Sequence, residues 1–286
     1  MSNTEVLLNN FFTVNSFNKL IYKHETTAYK KLAHLLIKEP NELTNSQVLT
    51  TAYKYLSLKH RNEYLYKNVL FNKILLGRHS LKTSTALKEL PVNGNILDFL
   101  IINGVGQVYE IKTELDNLKR LNKQIDSYYS AFSFCNIVTD QSHVESIKKH
   151  IIIPSVGIIV LTKRNTLHVE KKALKYEKKL SYKSMFNILR KNEFENILLK
   201  EFNFLPQVND FEYYDACFDL FKSIPLLKVQ HEMLLQLKSR QYINDMTIKE
   251  FHNTPPEIKT LVYFSEKIQS DAHSLNDFLS KKIGEI

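Results

Sequence analysis

Apolar residues between positions 95 and 113 fall into two short runs, 95–102 and 105–113, split by Asn103-Gly104. Two strand-like runs around an Asn-Gly pair predict a β-hairpin. From 118 to 134 the period changes: Leu121, Ile125, Tyr128, Tyr129 and Phe132 recur at helical spacing. Residues 136–139 predict a buried strand, and 156–161 with 166–170 predict another strand pair around Arg164-Asn165. Upstream, residues 1–80 read as helical. Thr44-Asn45-Ser46 is the expected N-cap of a helix over 47–59. A second helix is expected over 61–76, stopping at Gly77, where a left-handed residue often closes a helix. Beyond 180 no strand pattern is legible. The stretches 182–202, 211–223, 226–240 and 258–283 carry helical periodicity, punctuated by Pro206, Pro225 and Pro255-Pro256. The expected fold class is α/β, with a mixed central sheet flanked by helices, N-terminal helices and an all-helical C-terminal extension. The chain reads as three zones: a helical region 1–59, an α/β core 60–180 and a helical region 181–286.

Composition narrows the class. Of 286 residues only 6 are Gly and 7 Pro, which excludes collagen-like and Pro/Gly-rich disordered chains. Seventeen Phe and 15 Tyr supply a large core. Two cysteines, Cys135 and Cys217, exclude a disulfide scaffold and a four-thiolate zinc site. The longest apolar run, 151–161, is broken by Pro154 and Ser155 and is too short for a membrane span. The N-terminus lacks the cationic start of a signal peptide. A cytoplasmic protein without a membrane partner is therefore expected. The net charge of +9 suits a polyanion such as nucleic acid. Between 163 and 191 stand ten Lys/Arg and two Glu. Such a block is either a phosphate-tracking surface or a solvated helix face.

The candidate chemistry lies in the hairpin. Asp98 interrupts an apolar strand, and Glu110 and Lys112 interrupt the next. Charges in a central strand are costly unless paired, metal-bound or functional. Alternation puts Glu110 and Lys112 on one face, ~7 Å apart, and the hairpin brings Asp98 to the neighbouring strand, ~5 Å away. Carboxylates that close repel, and Mg²⁺, which takes oxygen ligands and keeps several waters, is a natural remedy. Lys112 would then stand beside a metal-bound water. The alternative is a buried ion pair serving the fold alone.

These residues resemble the PD-(D/E)XK nuclease superfamily, with Asp98 as its lone Asp and Glu110-Ile111-Lys112 as its (D/E)XK. Leu97 stands where the superfamily name has Pro. Glu63 matches a carboxylate carried in the preceding helix. It shares a stripe with Tyr66, Leu70 and Ile74 and is expected to face inward. Gln124-Ile-Asp-Ser-Tyr128 looks like the Q-x-x-x-Y element of the RecB-like and lambda-exonuclease-like branch. Across residues 60–170 the chain is similar to small stand-alone bacterial proteins assigned there. The resemblance implies a restriction-endonuclease-like core and a Mg²⁺- or Mn²⁺-dependent nuclease acting on DNA, of the kind found in phage defence or mobile elements. It implies metal ligands Asp98, Glu110 and Glu63, a water-positioning Lys112, and a Gln124 that orients the lysine or a phosphate. Backbone-gripping residues would be Lys119, Arg120 and Lys123, then Lys171, Lys172, Lys178 and Lys179, with Tyr128 beside them. The competing reading is a non-catalytic nucleic-acid-binding module. A third is a protein-interaction component, or a homodimer, using the C-terminal helices.

Other signals are weaker. Ten histidines form no zinc spacing. Asn103-Gly104-Val105-Gly106 lacks the Lys-Ser/Thr of a P-loop. Cys135 has no legible His/Asp partners. Glu114 and Asp116 read as a solvated strand end or as outer carboxylates. The tyrosine pairs 53/55, 64/66 and 128/129 fit core packing better than base stacking.

Overall fold

A computed structural model describes residues 2–113, 116–240 and 245–286, with the backbone alone for 245–247. In chain order the helices are α1 Asn3–Phe11, α2 Val14–Lys23, α3 Thr27–Leu36, α4 Asn45–Lys59, α5 Glu63–Leu70 and α6 Leu76–Arg78. The strands are β1 Thr85–Val92, β2 Asn95–Asn103, β3 Val105–Lys112, β4 Phe134–Thr139, β5 Gly157–Leu161 and β6 Leu167–Lys171. Helix α7 Leu121–Tyr129 joins β3 to β4, and α8 Val144–His150 joins β4 to β5. The remaining helices are α9 Tyr182–Ile188, α10 Lys191–Phe202, α11 Asp210–Ser223, α12 Leu226–Ser239, α13 Asp245–Asn253, α14 Lys259–Tyr263, α15 Glu266–Ser270 and α16 Ala272–Ser280. The class is α/β with a mixed sheet, as the sequence predicts. No described helix is long and apolar enough to cross a membrane.

The chain divides into two compact units. One comprises Met1–Lys82, Lys163–Thr166 and Ile243–Ile286; the other comprises Thr83–Thr162 and Leu167–Tyr242. This differs from the zones 1–59, 60–180 and 181–286. The reason is packing that local sequence does not announce. Helices α9–α12 contribute Met185, Phe186, Phe194, Ile197, Phe221 and Met233 to the same core cluster as sheet residues Leu100, Val108 and Ile137. The last helices join the first ones instead. Asn45, fully buried at the start of α4, donates to the carbonyls of Phe278 and Lys281.

In the helical unit, Thr44 caps α4 through a capping box with Gln47, close to the expected start. Helix α5 continues through a π-turn, Phe71–Leu75, into α6. Gly77 lies within that last turn rather than closing it, and the only described glycines with positive φ are Gly94 and Gly104. Phe11 stacks on Tyr29 at 5.1 Å, and Phe71 meets Tyr263 at 4.7 Å.

In the sheet unit the strand order is β1-β2-β3-β4-β5-β6. Strands β1, β2 and β3 run antiparallel in sequence, β3, β4 and β5 run parallel, and β6 returns antiparallel. Asn93 and Gly94 both have positive φ, 45° and 78°, which a two-residue hairpin turn requires. Gly106 is where α12 closes on β3: a Cβ there would stand 2.8 Å from Leu234 and from Phe132. The basic block 163–191 is no single helix face. It spans a turn, β6, an irregular stretch and α9.

Candidate active site

The β2–β3 ladder runs from Asn103 opposite Val105 to Phe99 opposite Tyr109. Past that pair, side chains take over the backbone groups. Asp98 accepts the Ile111 N–H at 2.7 Å. The Tyr128 hydroxyl lies 2.9 Å from the Ile96 carbonyl oxygen and 2.6 Å from Glu110 Oε2. The strand also changes face here. Leu97 and Leu100, three apart, share one core cluster, as do Leu87 and Leu90 across from them. Strict alternation cannot do that. The switch falls at Asp98 and at Glu89, which has φ 54°.

Glu110 is 1% exposed and has three donors. Lys112 Nζ at 2.7 Å and Gln124 Nε2 at 2.6 Å share Oε1, and Tyr128 takes Oε2. Gln124 and Tyr128, four apart on α7, thus reach one carboxylate, as their spacing predicts. The Tyr128 hydroxyl is held far above the ordinary tyrosine range by burial, then by the charges of Glu110 and Asp98. Both carboxylates therefore act on the same hydroxyl. Burial, then Glu110, also pushes the Cys135 thiol up, so it stays protonated and is no nucleophile.

A consequence is alkaline sensitivity. Because Tyr128 is raised in the folded state, its contribution is complete below the ordinary value of 10.0 and is lost as pH climbs beyond it. Thermal melting should hold steady up to about pH 10 and fall above it, and less steeply in Tyr128→Phe. An unchanged alkaline limb in Tyr128→Phe would separate this tyrosine from the effect.

The donor set fits a hard divalent cation. Asp98 and Glu110 supply carboxylate oxygens. Gln124 Oε1 is buried with no hydrogen-bond partner among the described residues, an acceptor that could take a metal-bound water. Among the described residues no group of three or more His, Cys, Asp or Glu gathers to hold a metal, so water and substrate oxygens would complete the shell.

Other expected residues fare differently. Glu63 does not face inward. It opens α5 after the Asn62 cap, its side chain is 55% exposed, and it pairs with Lys67 at 2.5 Å. A first-turn carboxylate suits the positive helix end. Tyr128 is fully buried and unavailable for base stacking. Lys119, Arg120 and Lys123 are exposed, and among the described residues no ion pair is found for their side chains. They open the helix that follows β3, hence lie at the carboxyl ends of the parallel strands, where open α/β sheets bind ligands. Lys171 is half-buried, Lys172 and Lys178 are exposed, and Lys179 pairs with Asp126 at 2.5 Å. Asp116 closes a turn by accepting the Thr113 N–H, while Glu114 lies outside the described residues.

The sequence reading missed Asp140. It follows Thr139, whose hydroxyl donates to the Lys112 carbonyl at 2.7 Å. Its Oδ1 accepts from Ser142, whereas Oδ2 is buried without a partner among the described residues, as is His143 Nδ1. An Asp directly after the buried strand was the available signal.

Residues 57–265 match a protein family described as bacteriophage P4 protein cII. The match spans more than half of the chain. The chain belongs to this family. No curated protein matches it. Among solved structures, it is similar to the SPO1766 protein of unknown function from Silicibacter pomeroyi, at 12% identity and a TM-score of 0.29. That likeness covers 46% of this chain and 87% of the other, and at this TM-score it establishes no shared architecture.

Proposed function

We propose that the site hydrolyses phosphodiester bonds in DNA with Mg²⁺ or Mn²⁺. One observation carries the reading: where the hairpin ladder ends, Asp98 holds the backbone N–H next to Glu110, and Glu110 gathers Lys112 and Gln124, just before a basic helix start. Asp98 and Glu110 would hold the cation. When bound, it would polarise water and neutralise phosphate charge. The chain's own groups do the rest. Lys112 can move from Glu110 to the attacking water or a non-bridging phosphate oxygen. Gln124 and Tyr128 keep Glu110 in place once the lysine leaves. Lys119, Arg120 and Lys123 hold the backbone. Water adds to phosphorus, the ester P–O bond breaks, and the leaving oxygen takes up a proton. A family named for a bacteriophage protein suits a mobile-element or defence setting, in the cytoplasm. The test is incubation with linear, circular and single-stranded DNA and RNA, with Mg²⁺, Mn²⁺ or EDTA. Cleavage that needs no metal, or that spares all DNA, would reject the reading.

A second reading has its own observation. Both oxygens of Glu110 are already engaged by this chain, as in a non-catalytic module whose ion pair serves the fold. Such a module would bind nucleic acid without cutting it.

Either way binding should weaken with salt. For duplex DNA, log K falls by ~0.9 per log salt for each phosphate neutralised. Reversing Lys119, Arg120 and Lys123 to Glu should therefore flatten the slope by about 2.7 if each meets one phosphate. Sequence preference should not change, because phosphate contacts position rather than specify. A triple variant that binds and cleaves like wild type would exclude this entry path.

A further inference from the structure

Residues 201–221 depart from the rest of the chain. They hold Glu201, Asp210, Glu212, Asp215 and Asp219 and no Lys, Arg or His, in a chain of net charge +9. The same stretch exposes large apolar groups: Phe204 at 53%, Val208 at 44%, Phe211 at 97% and Tyr214 at 48%. Phe211 and Tyr214, three apart, share one face of α11, and Asp215 follows them one helical turn beyond Phe211. The Tyr214 ring packs edge-on against Phe186 at 4.9 Å and its hydroxyl donates to Asn187. Tyr214 thus roots the stripe in the core, and Phe211 stands a turn further out.

Structural duties do not use up these groups. Asn209 already caps α11 through the Glu212 N–H. Asp210 and Glu212 suit a helix N-terminus, but Asp215 and Asp219 lie beyond the first turn. Asp219 and Glu201 are neutralised by Lys222 and Lys228. For Asp210, Glu212 and Asp215 no ion pair is found among the described residues. Three uncompensated carboxylates therefore surround an almost wholly exposed phenylalanine.

We infer that this face of α11 docks a protein segment that is rich in Lys or Arg and carries an apolar anchor for Phe211. Charge excludes nucleic acid here. A two-fold dimer would place the patch on its own copy, and the three carboxylates would then face their equals. A basic, apolar-anchored partner satisfies both halves of the surface: aromatic anchors carry most interface energy, and complementary charge selects the partner. The inference is independent of the chemistry at Glu110.

The test is titration of the full chain with a fluorescent amphipathic peptide of lysine and leucine. Glutamate–leucine and lysine–serine peptides serve as controls. The lysine–leucine peptide should bind wild type and neither control should match it. Phe211→Ser should weaken it at least about tenfold, the loss typical of a central aromatic anchor. Glu212→Lys with Asp215→Lys should weaken it comparably. Phe211 is solvent-exposed, so Phe211→Ser should melt like wild type, which a thermal scan checks. Equal binding to Phe211→Ser, or no binding to wild type, overturns the proposal. So does sedimentation of wild type as a dimer that Phe211→Ser dissociates, since the occupant would then be a second copy.

Discussion

Glu110→Leu should cost about 3–5 kcal/mol of stability, the usual effect of removing one partner of a buried ion pair. The loss strands the Lys112 ammonium, 8% exposed, and takes the acceptor from Gln124 and Tyr128. Lys112→Met should cost less, because Gln124 and Tyr128 still donate to the remaining carboxylate. The double variant should be more stable than the sum of the two predicts, by about 0.5–3 kcal/mol of coupling. Urea unfolding of the four proteins measures it. Strictly additive losses would mean that the two side chains do not interact in solution. Removing a charge that stands isolated in a strand would leave stability unchanged or raise it. The geometry reverses this for Glu110: its charge is not an isolated liability but the acceptor for three donors.

For that reason Glu110 is a poor place to test chemistry apart from folding, and Asp98 is a better one. Asp98→Asn keeps a side-chain oxygen for the Ile111 N–H while removing the charge. The side chain is only partly buried. Its melting temperature should stay within a few degrees of wild type. Cleavage should fall on the order of a hundredfold or more, the scale on which metal sites respond to lost ligand support. Loss of fold together with activity would make Asp98 a structural residue. Full activity in Asp98→Asn would remove it from the metal site.

The parts of the site that are local were legible. Asn103-Gly104 marks the β2–β3 hairpin, and the Gln124/Tyr128 spacing puts both side chains on one helix face. Strand β1 was not legible, because Lys88, Glu89 and Pro91 break its alternation; as an edge strand it tolerates the proline. The change of face at Asp98 was visible only as Leu97 and Leu100 three apart, which reads equally as a uniform apolar run. Glu63 shows the limit of stripe reasoning. Its periodicity matches Tyr66 and Leu70, yet it sits in the first turn, where capping and Lys67 decide its direction. The pairing of residues 248–286 with the first helices depends on contacts more than two hundred residues apart, such as Asn45 with Phe278. No local pattern encodes that.

The most direct measurement is cleavage of supercoiled plasmid by purified wild type and Asp98→Asn in Mg²⁺, Mn²⁺ or EDTA, alongside a gel shift in EDTA. The proposal predicts nicking or degradation by wild type in metal alone, its loss in Asp98→Asn, and equal gel shifts for both proteins. Metal-independent binding with no cleavage by wild type under any condition would contradict it and leave the binding-module reading in its place.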